Sequence, residues 1–278
     1  MKRILPAGMI LVPVDFSPLA CVAMEHGLLL ARKLDCKVRL LHVYGHRPGR
    51  EFSRDHAESM GNCREIQERI RHWREQYGLD AEMLETEGNL FAMIASVARQ
   101  VSPCLMVMGT HGKAGLQQMY GSYALRIVLD APCPVLVAGK NLARKDYRRI
   151  LAPLHKDLDT RTMGKWILTL GTRFAATIHL IPVTEAGYGS EEEMRGILSS
   201  VTGQLVQRNV GYIISSPVSP SNFSAAIISY AESNDIDLAL AAALPPESIA
   251  TFDHADWIER LMFNKAGIPV MFINRLDE

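Results

Sequence analysis

An internal repeat is the feature that most constrains how this 278-residue sequence can fold. The segment Ile10–Asp15 (ILVPVD) is matched by Ile150–His155 (ILAPLH), which lies 140 residues further along the chain. The same offset aligns Leu30–Val43 with Leu170–Val183 without a gap. A domain typically holds about 100–200 residues. The repeat therefore predicts two related domains, residues 1–143 and 144–278.

Each unit alternates short apolar runs with longer stretches of helical spacing. Short, continuously apolar or β-branched runs are typical of strands buried on both faces of a sheet. Alternation of strand and helix predicts the α/β class, here two doubly wound five-stranded parallel-sheet (Rossmann-like) domains in tandem. The predicted strands are Ile10–Val14, Val38–Tyr44, Glu82–Thr86, Leu105–Met108 and Pro134–Ala138, then Ile150–Leu154, Ile178–Pro182, Tyr212–Ser215, Leu238–Ala242 and Pro269–Ile273.

Charge and cysteine content restrict the class of partner. The 30 basic and 30 acidic residues balance, which argues against a protein that coats nucleic acid or an anionic membrane. The first 145 residues carry 19 basic and 14 acidic residues, a net +5, and the remainder carry 11 and 16, a net −5. No apolar run approaches the ~20 residues of a membrane span. Five scattered cysteines without a CxxC pair favour a reducing compartment, so a cytoplasmic location is expected.

Residues that follow the first unit's strands are the candidate ligand contacts, because open parallel sheets bind ligands beyond the carboxyl ends of their strands. Strand four runs into the glycine-rich segment Gly109–Gly115, and Gly121-Ser122 is predicted to open the next helix. Glycines allow close backbone approach to an anion, and a helix N-terminus favours phosphate. The alternative is that the glycines form turns and Ser122 caps the helix.

One acidic and two histidine side chains near these strand ends are further candidates. Asp15 accepts from an adenine amino group or a ribose hydroxyl, or it caps a helix that begins near Pro18. His42 lies within strand two and is predicted to be a half-buried structural histidine. His111 lies in the glycine-rich segment, where it would contact a phosphate. The sequence contains no HExxH, nucleophile-elbow, Walker or GxGxxG pattern.

Taken together, ILVPVDFS, LLHV, VMGTHGKAG followed by GS, and APCPVLV resemble the universal stress protein family. The tandem layout resembles the two-domain members of that family. The resemblance implies a five-stranded parallel sheet and, in one branch, ATP binding through G-x2-G-x9-G-[ST]. Gly109 and Gly112 match the first two glycines and Gly121-Ser122 match the last pair. Eight residues, not nine, separate Gly112 from Gly121.

The resemblance also implies which residues line the nucleotide. The implied ligand is ATP, with AMP or ADP and an accompanying Mg²⁺ left open, and no residue is assigned to catalysis or to metal ligation. The implied contacts are Pro13, Val14, Asp15, Ser17 and Val43 on the adenosine side, and Met108, Gly109, Thr110, His111, Gly112, Gly121, Ser122 and Tyr123 along the ribose and phosphates.

The second unit lacks these features. His155 stands at the position of Asp15, and Ala241–Pro246 replaces the glycine-rich segment with a stretch that has no glycine and ends in two prolines. Proline donates no N–H to a phosphate. We therefore expect one nucleotide site per chain, with the second half a degenerate scaffold or a partner-binding half.

The last strand of each unit is a candidate pairing edge, because an uncovered apolar edge strand invites association. Family members pair such strands across a two-fold axis. Here the two halves are expected to pair within one chain, with a homodimer left open. The alternative is that helices of the same unit cover each edge.

The leading hypothesis is a stress-responsive regulatory protein of the cytoplasm whose N-terminal half binds an adenine nucleotide. Its expected partners include neither nucleic acid nor a membrane. One alternative is a nucleotide-independent module for dimerisation or interaction. Another is a slow ATP hydrolase with His111 and Ser122 near the phosphates, although the absence of an obvious base favours binding over fast hydrolysis.

Overall fold

A computed structural model of the chain describes residues 8–15, 18–44, 81–109, 118–139, 146–156, 159–184, 190–243 and 257–274, with parts of 67–78. For residues 18, 19, 44 and 118–123 it describes the backbone alone. Among the described residues, no helix is long and apolar enough to cross a membrane.

The ten described strands form one sheet in the order β3-β2-β1-β4-β5-β10-β9-β6-β7-β8. Within each half every neighbouring pair is parallel, and the winding reverses between β1 and β4 and again between β6 and β9. This arrangement confirms the predicted pair of doubly wound five-stranded sheets. The strands are β1 (Met9–Pro13), β2 (Lys37–Tyr44), β3 (Ala81–Glu87), β4 (Leu105–Gly109), β5 (Val135–Ala138), β6 (Arg149–Leu154), β7 (Thr177–Pro182), β8 (Tyr212–Ile214), β9 (Leu238–Ala242) and β10 (Val270–Ile273).

Helices lie on both faces of the sheet, and several begin at capping side chains. Asn89 and Asp159 each accept two backbone N–H groups of the following helix, and Ser190 accepts one. Such side chains satisfy N–H groups that have no acceptor within the helix. The helices are α1 (Pro18–Leu34), α2 (Leu90–Val101), α3 (Gln118–Asp130), α4 (Thr160–Phe174), α5 (Glu191–Gln207), α6 (Phe223–Ser233) and α7 (Trp257–Met262), with helical residues also among 67–75.

Two apolar cores sandwich the sheet, because successive side chains of a strand point to opposite faces. Ile10 and Val12 of β1 are fully buried in the core that includes Leu30 of α1. Leu11, between them, is fully buried in the other core with Val128 of α3. Burial on both faces explains why these strands are continuously apolar rather than alternating.

The two halves meet where β5 pairs with β10. This pair is antiparallel, with Val137 opposite Val270 and Val135 opposite Phe272. All residues of both strands are buried. Helix α1 contacts α4 on one face and α3 contacts α7 on the other. Each core therefore runs continuously from one half into the other.

Polar contacts also connect α1 with the segment that enters β6. Lys33 Nζ lies 2.9 Å from the Asp146 carboxylate, and the Tyr147 hydroxyl lies 2.5 Å from His26 Nδ1. Burial raises the pKa of Tyr147, and the negative charge of Asp237 adds to that effect. Tyr147 is therefore a neutral phenol that holds this segment against α1.

Two glycines allow the ends of the paired strands to approach closely. A Cβ on Gly139, just after β5, would lie 3.1 Å from the backbone of Gly267. Gly267 adopts a φ of +67°, a conformation that favours glycine. A Gly139→Ala substitution should therefore lower the free energy of unfolding by about 1–3 kcal/mol in urea denaturation, because the methyl group must displace backbone.

A matched substitution tests whether the effect belongs to this contact. Gly203 lies inside α5 and a Cβ there would meet open space. Gly203→Ala should raise the free energy of unfolding by about 0.5–1 kcal/mol, because alanine has the higher helix propensity. Unchanged stability of Gly139→Ala would contradict the close approach.

Candidate functional site

The candidate site lies where β1, β2 and β4 end, next to the reversal of winding. Ile10 pairs with Leu105 and Pro13 pairs with Leu41. Continued along the strands, this register sets Asp15 level with Val43 and Val14 level with Gly109. The structure thus brings together the predicted site residues Pro13, Val14, Asp15, Val43, Met108 and Gly109.

Backbone and imidazole groups fix the end of β1. The N–H of Val14 donates to the carbonyl oxygen of Leu41 at 2.8 Å. His42 is buried, and its Nδ1–H donates to the carbonyl oxygen of Val14 at 2.9 Å. The prediction that His42 is a structural histidine is confirmed, and its hydrogen bond holds the residue that precedes Asp15.

The side chains at these strand ends divide between the two faces. Val14 is buried and belongs to the core on the α1 side. Val43 and Met108 are half-buried and pack on the opposite core. Asp15 is exposed. A carboxylate beside apolar side chains at a sheet edge suits a ligand with a flat apolar ring and hydroxyl or amino donors.

The start of α1 lies close to Asp15. The helix begins at Pro18, which confirms the proline at the first helical position. Asp15 lies three residues before this first helical residue. Asp15 is exposed just beyond β1, and both interpretations of its side chain stay predictions.

The start of α3 corrects a second expectation. The sequence predicted that Gly121-Ser122 opens the helix, but α3 begins at Gln118. Gly121 and Ser122 are its fourth and fifth residues. Only the first four N–H groups of a helix lack an intrahelical acceptor, so Ser122 lies beyond them. Helix propensity of the preceding residues extends the first turn, which glycine alone does not prevent.

Several predicted site residues lie outside the described residues. Ser17, Thr110, His111 and Gly112 belong to this group, as do the side chains of Ser122 and Tyr123. Their assignment stays a prediction. Among the residues that the structure does describe, no cluster of three or more His, Cys, Asp or Glu side chains is arranged to hold a metal ion.

The corresponding end of the second half has a different character. His155, at the position of Asp15, is 3% exposed. The N–H of Ala243, directly after β9, donates to the carbonyl oxygen of Ile273 at 3.0 Å. The edge therefore presents a buried imidazole and alanines, where the first half presents an exposed carboxylate and a glycine.

Sequence comparison places these features in a family. The sequence profile of the Universal stress protein family matches residues 8–139. The N-terminal half of the chain belongs to the universal stress protein family. A universal stress protein of Methanocaldococcus jannaschii is 29% identical over 140 residues, which are 47% of this chain and 81% of that protein.

Solved structures extend the likeness in fold over both halves of the chain. A universal stress protein from Archaeoglobus fulgidus is similar with a TM-score of 0.75 at 15% identity, covering 96% of each chain. A Pseudomonas aeruginosa protein of unknown function is similar with a TM-score of 0.66 at 17% identity, covering 100% of this chain and 96% of that one. The shared fold therefore includes the half that the family profile does not match.

One residue near the first half escaped the sequence reasoning. Asn274, directly after β10, is buried, and its amide contacts the end of α3. Periodicity and spacing carry no signal for it, since it belongs to the other half of the chain. Its contacts are described further below.

His42 gives a direct test of how the end of β1 is held. His42→Leu should lower the free energy of unfolding by about 1–2 kcal/mol in urea denaturation, because the carbonyl oxygen of Val14 loses its imidazole donor. His72 is exposed, so His72→Leu should change stability by no more than about 0.5 kcal/mol. Equal effects of the two substitutions would contradict a structural role for the His42 hydrogen bond.

Proposed function

We propose that this protein is a stress-responsive regulatory protein of the cytoplasm that binds an adenine nucleotide at one site, in its N-terminal half. The ligand is ATP, AMP or ADP, with Mg²⁺ as the accompanying cation of the triphosphate. The nucleotide contacts are the residues that match the family motif, from Pro13 to Tyr123. The protein acts through binding rather than turnover.

The observation that carries this proposal is that an exposed carboxylate and a glycine lie at the ends of two adjacent strands, where the winding of the sheet reverses. Asp15 follows β1, and Gly109 ends the adjacent strand β4. Gly109 continues in sequence into Thr-His-Gly112, which fits the first half of the family's nucleotide motif. Ligands of open parallel sheets bind at this position.

The start of α3 affects which of its groups this proposal assigns to the phosphates. Because Ser122 lies beyond the free N–H groups of α3, its contribution in this proposal is the hydroxyl. The N–H groups at the phosphates come from Gly121 and the residues before it. The positive net charge of the first half supports anion binding on this side, although salt weakens such long-range attraction.

The domain organisation is part of the same proposal. The N-terminal domain, residues 1–143, carries the nucleotide, and residues 144–278 form a half without it. The β5–β10 pair supports assembly of the two halves within a single chain. The buried His155 and the proline-containing Ala241–Pro246 segment support the absence of a second equivalent site.

Thermal denaturation with nucleotide tests the proposal. At about 100 times its Kd, a ligand adds about 2.7 kcal/mol to the free energy of unfolding. Millimolar ATP with MgCl₂ should therefore raise the Tm by roughly 5 °C or more. Gly121→Val should abolish the rise, because its side chain enters the space that the backbone leaves for the phosphates.

A matched valine substitution controls for helix propensity. Gly196 lies in α5, where a Cβ meets open space. Gly196→Val adds the same β-branched residue to a helix and should keep the full nucleotide-induced rise in Tm. Retention of the rise in Gly121→Val would place the nucleotide elsewhere.

The alternatives predict different results in the same experiment. A Tm that stays constant with ATP, ADP and AMP would favour the nucleotide-independent interaction module. Release of inorganic phosphate above that of a heat-killed control would favour the slow hydrolase. Nucleotide recovered from the purified protein by mass spectrometry would support the binding protein.

A further inference from the structure

Helix α3 ends with a carbonyl group that its own chain segment does not satisfy. In an α-helix the carbonyl of Val128 accepts from the N–H of the residue four positions later, which here is Pro132. Proline has no N–H, so the helical hydrogen bond cannot form. Val128 is fully buried, which makes an unsatisfied carbonyl costly at this position.

The missing donor comes from the other half of the chain. The side-chain amide of Asn274 donates to the carbonyl oxygen of Val128 at 3.0 Å and to that of Ala131 at 2.8 Å. Asn274 is 5% exposed and follows β10, the strand that joins the two sheets. One buried amide therefore uses both of its N–H groups to hold the end of α3.

The equivalent helix of the second half needs no such help. The amide of Asn264, two residues after α7, donates to the carbonyl oxygens of Leu261 and Ile268, each at 2.8 Å. The N–H of Ile268 returns a hydrogen bond to Asn264 Oδ1 at 2.9 Å. Thus α7 is capped from its own half, whereas α3 depends on its neighbour.

The repeat shows that this difference is built into the sequence. The offset of 135 residues that relates the two chain ends pairs Pro132 with Gly267 and Gly139 with Asn274. At the first matched position the N-terminal half has a proline and the C-terminal half a glycine. At the second, the N-terminal half has a glycine and the C-terminal half has Asn274. Gly139 has no side chain with which to cap α7 in return.

The helix held in this way is the one that carries Gly121 and Ser122. Val128 lies seven positions after Gly121, which is about 10 Å at the helical rise. A helix of this length transmits a shift at one end to the other, because its hydrogen-bond ladder is stiff. The position of Gly121 relative to β4 therefore depends on how the end of α3 is held.

We propose that Asn274 is a positioning residue for the nucleotide site of the other half. It acts through α3, setting where Gly121 and Ser122 stand relative to Asp15 and Gly109. This inference rests on the proposed nucleotide binding at that site. The C-terminal half therefore contributes to nucleotide binding without contacting the nucleotide. Its Asn274 amide replaces the backbone N–H that Pro132 lacks.

The test compares Asn274→Leu with Asn264→Leu in the full chain. Leucine keeps the branched shape of asparagine and removes both N–H donors in each case. Isothermal titration with ATP and Mg²⁺ gives the Kd, and hydrogen exchange gives the protection of the α3 amides. Asn274→Ala, paired with Asn264→Ala, replaces the leucine variants if they do not fold.

The two variants should destabilise the protein alike and affect nucleotide binding differently. Asn274→Leu should raise the Kd for ATP about five- to tenfold, the equivalent of roughly one hydrogen bond, and increase exchange in α3. Asn264→Leu should increase exchange in α7 and leave the Kd within about twofold. A purely structural role for Asn274 would lower the Tm without changing the Kd.

Each outcome bears on a separate claim. Suppose that the Asn274→Leu protein folds and its α3 amides lose protection from exchange. An unchanged Kd for ATP would then overturn the positioning role, while the proposed function would stand. Unchanged α3 protection would overturn the cap itself. Failure of the unsubstituted protein to bind ATP would overturn the proposed function and, with it, the assignment of Asn274 to a nucleotide site.

Discussion

Everything in this structure rests on the antiparallel pairing of two short strands, β5 and β10. Each has four residues, all of them buried, and each would otherwise be the exposed apolar edge of a five-stranded sheet. An unpaired edge of that kind is a template for association with another chain. Pairing the two edges within one chain satisfies their backbone groups and extends both cores across the junction. The close approach of Gly139 to Gly267 and the contacts of α1 with α4 follow from that junction.

The pairing also allows the two halves to diverge. In a chain that contains both partners, each half can lose what the other supplies. The first half keeps the exposed Asp15 and the glycine-rich segment and carries the net positive charge. The second half has a buried His155 at the equivalent position and a net negative charge, and it contributes the Asn274 amide to α3. In a symmetric pair of identical chains, every copy would need both the exposed Asp15 and the Asn274 amide.

Much of the fold was predictable because each strand is buried on both faces. Burial on both sides forces continuous apolar runs, and these stand out between amphipathic helices. The helix starts were less predictable. Spacing suggested that α3 opens at Gly121, but the helix begins at Gln118. Glycine and aspartate are common at helix starts because of their local backbone and capping preferences. These preferences do not determine which residue makes the first helical hydrogen bond.

The sequence alone determined the repeat, the class of fold and the inequality of the two halves, because these depend on periodicity and on residue identity at matched positions. It also contained half of the α3 cap, since Pro132 removes the N–H that the carbonyl of Val128 needs. Only the tertiary structure decided which residue replaces that donor. Asn274 lies 146 residues from Val128 along the chain and reaches it because β10 pairs with β5. Long-range pairing of this kind depends on how the sheet edges meet, which no local pattern encodes.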